Sequence, residues 1–84
     1  KNTRLKINVL LFGIATDLIG SVALEIVLPI NCNITSFKEL ITKQYPELQK
    51  MSSYAIAINE SYATDETIIT ENDVVAIIPP VSGG

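Results

Sequence analysis

Val74-Val75-Ala76-Ile77-Ile78-Pro79-Pro80-Val81-Ser82-Gly83-Gly84 (VVAIIPPVSGG) is the stretch that decides the fold. Its first five residues are apolar without interruption, too few for a buried helix and rich in β-branched side chains, so they read as a strand over 74–78. An unbroken apolar run, in place of a polar–apolar alternation, predicts a central strand covered on both faces. Pro79 and Pro80 have no N–H to give to a ladder and stop the strand there. Beyond them, two glycines present a terminal carboxylate with no side chain beside it, which reads either as a chemical handle or as the frayed end of a tail.

Working outward, Glu71-Asn72-Asp73 reads as a turn leading into that strand, and residues 64–71 carry no clear pattern. Tyr54 to Asn59 (YAIAIN) alternates and predicts a third strand, followed by the polar turn Asn59-Glu60-Ser61 and a short strand at Tyr62-Ala63. Before these, Ser36 and Glu39 stand three apart, the spacing of a capping box, and predict a helix starting at Ser36. Phe37, Leu40, Ile41, Gln44, Tyr45 and Leu48 follow the spacing of its buried face, with Lys38, Glu39 and Lys43 turned to water. Pro46 ends the helix near Tyr45, leaving a looser turn to Lys50. Leu5 to Phe12 and Ala23 to Leu28 both alternate and predict a pair of strands, joined through a short helical turn from Ile14 to Ile19 that Gly20 closes. A strand hairpin, one crossing helix, further strands and a central last strand describe an α+β fold, a mixed sheet wrapped around a single main helix. This is the β-grasp, or ubiquitin-like, arrangement, with residues 1–78 as the domain and 79–84 as an extended tail.

Composition narrows the function. The chain has 84 residues, room for one domain, and 48% of them are hydrophobic while only 18% are charged, which suggests that part of the apolar surface meets a partner. A net charge of −3 without any Lys/Arg cluster argues against nucleic acid and toward a basic protein surface. No apolar stretch approaches the ~20 residues that span a bilayer, and no cleavage-site pattern follows the start Lys1-Asn2-Thr3-Arg4, so a cytoplasmic protein is expected. Cys32 is the one cysteine, which excludes a disulfide within the chain and fits a reducing compartment. It has no cationic neighbour in sequence to favour a thiolate and is read as structurally incidental. Glu60, Asp65, Glu66, Glu71 and Asp73 lack metal-ligand spacing and read as solvated surface, so no metal is expected. The chain has no His, no recognisable nucleophile setting and no glycine-rich phosphate loop, the usual parts of a self-contained catalyst or ATP site.

The order of elements together with the Pro-Pro-Val-Ser-Gly-Gly ending resembles the family of small, sulfur-carrying subunits of molybdopterin synthase. The likeness spans nearly the whole chain: the opening strand into Phe12-Gly13, the Asp17-Leu18-Ile19-Gly20 turn, the helix running to Tyr45-Pro46, the strand ending at Asn59, the Glu71-Asn72-Asp73-Val74 turn and the tail. The resemblance implies that an adenylating and sulfurating enzyme, of the type that activates ubiquitin, uses ATP to activate the carboxylate of Gly84. Sulfur then replaces an oxygen to give a thiocarboxylate, and the large synthase subunit uses it to sulfurate cyclic pyranopterin monophosphate. In this scheme the chain has no cofactor of its own and is non-catalytic alone, and two small subunits sit at opposite ends of a large-subunit dimer.

The resemblance also implies a partner-binding patch of Phe12, Tyr62 and Ile78 at the base of the tail; the alternative for Phe12 and Ile78 is an ordinary core position, whereas Tyr62, in a polar stretch, is the better interface residue. Bacterial members often place a basic residue where this chain has Thr16, so an ionic contact there is not expected. Pro79, Pro80, Val81 and Ser82 form the stem: at ~3.1 Å per residue in polyproline geometry, six residues reach about 19 Å, far enough to enter another protein's pocket. Gly83 and Gly84 pass a narrow channel because they lack Cβ atoms. Besides a plain interaction domain with an inert tail, two rivals share the chemistry of the terminal Gly-Gly. One is a sulfur carrier for thiazole synthesis or transfer-RNA thiolation, the other a ubiquitin-like modifier joined to lysines of its targets.

Overall fold

The computed structural model describes residues 3–51 and 53–80. The chain runs β1 (Arg4–Leu11), α1 (Ile14–Ile19), β2 (Ala23–Pro29), α2 (Ile34–Gln44), a 3₁₀ turn (Pro46–Lys50), β3 (Ala55–Ile58), β4 (Ser61–Tyr62) and β5 (Val74–Ile78). The five strands form one mixed sheet in the order β2-β1-β5-β3-β4. β5 lies parallel to β1, with Leu10 opposite Ala76, and antiparallel to β3, with Ala57 opposite Ala76. The last strand in the sequence is therefore the middle strand of the sheet, as its composition predicts, and the whole is the expected β-grasp.

Alternation decides which face each strand gives to the core. Ile7, Val9 and Leu11 of β1, Ile26 and Leu28 of β2, Ile56 of β3, and Val75 and Ile77 of β5 are buried together with Ile34, Phe37 and Ile41 of α2. Each such side chain removed from water stabilises the fold by ~1.5–3 kcal/mol before entropy is counted. α1 ends as expected at Gly20, whose φ of 84° is a left-handed cap that lets its N–H reach the carbonyl of Thr16.

The structure corrects four expectations. α2 is capped by Asn33, whose side-chain oxygen accepts from the Ser36 N–H at 2.9 Å; Ser36 is inside the first turn, and the helix begins at Ile34. Asn33 has the extended backbone of a cap, and starting there buries Ile34 as well as Phe37. Gln44, the helix's final residue, is exposed, and the buried face of the last turn is held by Ile41. β1 stops at Leu11, so Phe12 lies just outside the ladder, where Gly13 turns the chain at φ 55°. Most consequential, β5 is covered on one face only: Val75 and Ile77 are buried, whereas Val74 is exposed and Ala76 and Ile78 are half-buried. Ile69, in the stretch without a clear pattern, is buried; its N–H reaches the carbonyl of Cys32, and the neighbouring Ile68 makes an isolated bridge to Asn33.

Candidate docking face

The outer face of the sheet, opposite α2, is built from the strand positions that the core does not use. In the middle lies the row Leu10, Ala76, Ala57 and Tyr62, each opposite the next in the ladder. The two alanines are small, so the centre of the row is a depression. Phe12 and Ile78 border it at one end, and Val74, Asn59 and Glu60 at the other. Phe12 is 48% exposed and Tyr62 74% exposed, so two aromatic rings stand open to water at this groove. Phe12, Tyr62 and Ile78, singled out together in the sequence, line this one groove, and neither Phe12 nor Ile78 is a core side chain. Farther along the same face the surface becomes polar, where Lys6 approaches Glu25 at 4.0 Å across β1 and β2.

A hydrogen-bonded clasp holds the Asn59 end of the groove. The Asn59 N–H donates to the Val74 carbonyl at 2.8 Å, the Val74 N–H donates to Asn59 Oδ1 at 3.0 Å, and Asn59 Nδ2 donates to Asp73 Oδ1 at 3.0 Å. Asp73 Oδ2 accepts from the Thr70 N–H at 2.8 Å and from its hydroxyl at 3.0 Å. Partial burial pushes the Asp73 carboxyl up, but the bonds from Thr70 and Asn59 outweigh it and hold it below the ordinary aspartate value. The clasp ties the β3–β4 turn to the start of β5 and so fixes one wall of the groove against another.

At the opposite end, β5 runs into Pro79 and Pro80 beside a second, shallower hollow formed with Phe12, Gly13, Ile14, Lys50 and Met51. A Cβ placed on Gly13 would stand 3.3 Å from Pro79 Cγ, so the backbone at Gly13 packs closely on the first proline of the stem. The stem thus leaves the fold from the rim that Phe12 and Ile78 share. Val81, Ser82, Gly83 and Gly84 lie outside the described residues.

The face is mainly apolar in its chemistry. Its groove is lined by apolar side chains with Asn59 and Glu60, and contains no cation to hold a phosphate-bearing ligand among the described residues. Cys32 is 4% exposed on the core side, and burial raises its thiol above the ordinary value, the opposite of an activated nucleophile. Of the groove residues, Leu10, Ala57, Asn59, Glu60, Val74 and Ala76 were not singled out from sequence as site residues. The signal for two of them was present in β5, whose apolar run leaves Val74 and Ala76 to face outward beside Ile78.

A β-grasp domain with an open apolar sheet face at the root of a Pro-Pro stem defines a small protein of the ubiquitin-like class. The sequence pattern of the ThiS family matches residues 9–84, and the chain belongs to that family. A molybdopterin synthase sulfur carrier subunit from Arabidopsis thaliana is 36% identical over 80 residues, covering 94% of this chain and 83% of that protein. Among solved structures, a Pyrococcus furiosus protein described as molybdopterin converting factor subunit 1 is similar at a TM-score of 0.82 and 26% identity, over 92% of this chain and 99% of the other. A chain in the Helicobacter pylori complex of subunits 1 and 2 of molybdopterin-converting factor shares the fold at a TM-score of 0.64 and 22% identity, over 95% and 100%. No helix among the described residues is long and apolar enough to cross a membrane.

Proposed function

We propose that this chain is the sulfur carrier of a molybdopterin synthase, donating sulfur from a thiocarboxylate on Gly84. The observation that carries this reading is the placement of the Pro79-Pro80 stem at the edge of an apolar groove containing Phe12, Tyr62 and Ile78. A partner seated on that groove has the stem's root at its own surface. The name of the Arabidopsis relative supports the pathway, and its word "subunit" supports a partner.

The partner on the groove is the large synthase subunit, which supplies the acid–base groups and the pterin pocket that this chain lacks. An adenylating enzyme binds the ATP and activates the Gly84 carboxylate, so the carrier needs no cofactor of its own. The buried, unactivated thiol of Cys32 leaves the terminus as the sulfur-bearing group and suits the reducing cytoplasm.

The test is intact-protein mass spectrometry after incubation with the activating enzyme, ATP and a sulfur source. The expected mass rises by the difference between sulfur and oxygen, and the charged protein then sulfurates the pterin when the large subunit is added. Deletion of Gly84, or Gly84→Val, abolishes both steps while leaving the far-ultraviolet circular dichroism unchanged. An unchanged mass under conditions that charge a known carrier refutes the reading, and isopeptide conjugates on target lysines would replace it with a modifier.

A further inference from the structure

The turn between β3 and β4 has two residues, Asn59 at φ 51° and Glu60 at φ 73°. Positive φ at both central positions is the type I′ pattern, for which Asn-Gly is the favoured pair. Asn59 suits its position and is held there by the clasp. Glu60 does not, because a Cβ in the left-handed region crowds the backbone, and glycine would adopt the same angles freely.

Glu60 is exposed and is the one charged side chain among the described residues that line the groove, next to Tyr62. The two ion pairs found among the described residues, Lys6 with Glu25 and Lys38 with Asp65, do not use it. The chain therefore accepts backbone strain to hold a carboxylate on the rim of an otherwise uncharged groove. Nothing within the described fold is stabilised in return.

We propose that Glu60 is the ionic contact of the docking face, meeting a lysine or arginine of the large subunit and setting how that subunit seats beside Tyr62; this rests on the partner assigned under Proposed function. A charge at a rim acts mainly on the rate of encounter and on register, and its effect fades as salt shortens the Debye length. The net charge of −3 acts in the same sense, drawing in a basic surface over longer range.

The experiment compares wild type, Glu60→Gly, Glu60→Gln and Tyr62→Ala for thermal midpoint and for association rate with the large subunit, from about 0.05 M to about 0.5 M salt. Glu60→Gly is expected to melt a few degrees higher than wild type yet to associate ~3–10-fold more slowly at low salt, the difference closing at high salt. Glu60→Gln keeps the strained Cβ, so it loses the same on-rate without the gain in midpoint. A purely structural Glu60 would move the midpoint alone. On-rates equal to wild type for both Glu60 variants at low salt overturn the ionic contact. If Tyr62→Ala still weakens binding in that case, the large-subunit reading survives. A wild-type protein that does not bind the large subunit overturns both.

Discussion

Asn59 offers the sharpest test of how the groove is held, because two substitutions there separate the side-chain clasp from the backbone turn. Glycine at 59 keeps the N–H that donates to the Val74 carbonyl and adopts φ 51° freely, so Asn59→Gly deletes only the bonds from Val74 N–H to Oδ1 and from Nδ2 to Asp73, each 3.0 Å long. At ~0.5–1.5 kcal/mol per bond, discounted for their exposure, the loss comes to about 1–2 kcal/mol. Asn59→Ala loses the same two bonds and keeps a Cβ in the left-handed region without the local side-chain bonding that lets asparagine sit there, ~1–2 kcal/mol worse than glycine, for a total of about 2–4 kcal/mol. In urea titrations followed by circular dichroism, a slope of roughly 1 kcal/mol/M for so small a domain puts the midpoints about 1–2 M and 2–4 M below wild type. The ranking wild type, then Gly, then Ala is the decisive result. An alanine variant as stable as the glycine variant would refute the turn strain, and two variants as stable as wild type would refute the clasp.

Two further expectations follow from the same geometry. Gly13→Ala places a side chain at φ 55° and ψ −133° with its Cβ 3.3 Å from Pro79 Cγ, and should cost ~1–3 kcal/mol in thermal or urea denaturation; a loss under about 0.5 kcal/mol would show that the stem's root gives way freely. The lowered Asp73 carboxyl means that the unfolded chain takes up this proton at a higher pH than the folded one, so its stabilising effect is fully present above the unfolded value and is lost as the pH falls below about 4. Asp73→Asn should flatten that acid limb in denaturation measured from pH 6 to pH 2, and an unaltered limb would mean that other carboxylates set it.

Where one physical signal dominated, the sequence was enough to place the elements. The period-two alternation in β1 and β2 could be satisfied only by strands, and Pro46 and Gly20 punctuated the helices where the structure ends them. The misplaced cap shows where local signals compete. Ser36 and Glu39 have capping-box spacing, but Asn33 is as good a cap, and only the burial of Ile34 against the sheet decides between them. Ile69 is buried while the adjacent Ile68, in the same stretch of threonines and acids, is exposed; Ile69 is placed by a bond from its N–H to the Cys32 carbonyl across 37 residues of chain that no local pattern reveals. The open face of β5 is the most instructive case. An unbroken apolar strand states that both faces leave water, and it does not say whether the second cover comes from the same chain or from another. The role of Asn59 was hidden for a related reason: its partners, Asp73 and Val74, are distant in sequence and adjacent only once β3 and β5 are paired.

The position of β5 also governs which copies of the protein can compete for a partner. β1 and β3 are joined only through β5, so until Ile78 has been synthesised the two halves of the sheet have no ladder between them. That same strand contributes Val74, Ala76 and Ile78 to the groove. A chain that stops short of it, through premature termination or a proteolytic cut, therefore loses the link between the two halves of its sheet, one wall of its groove and the stem in a single event. Such a fragment cannot sit on the partner as an unarmed decoy. Under the proposed function, groove and sheet closure are thus encoded in one strand, and neither can be present without the other.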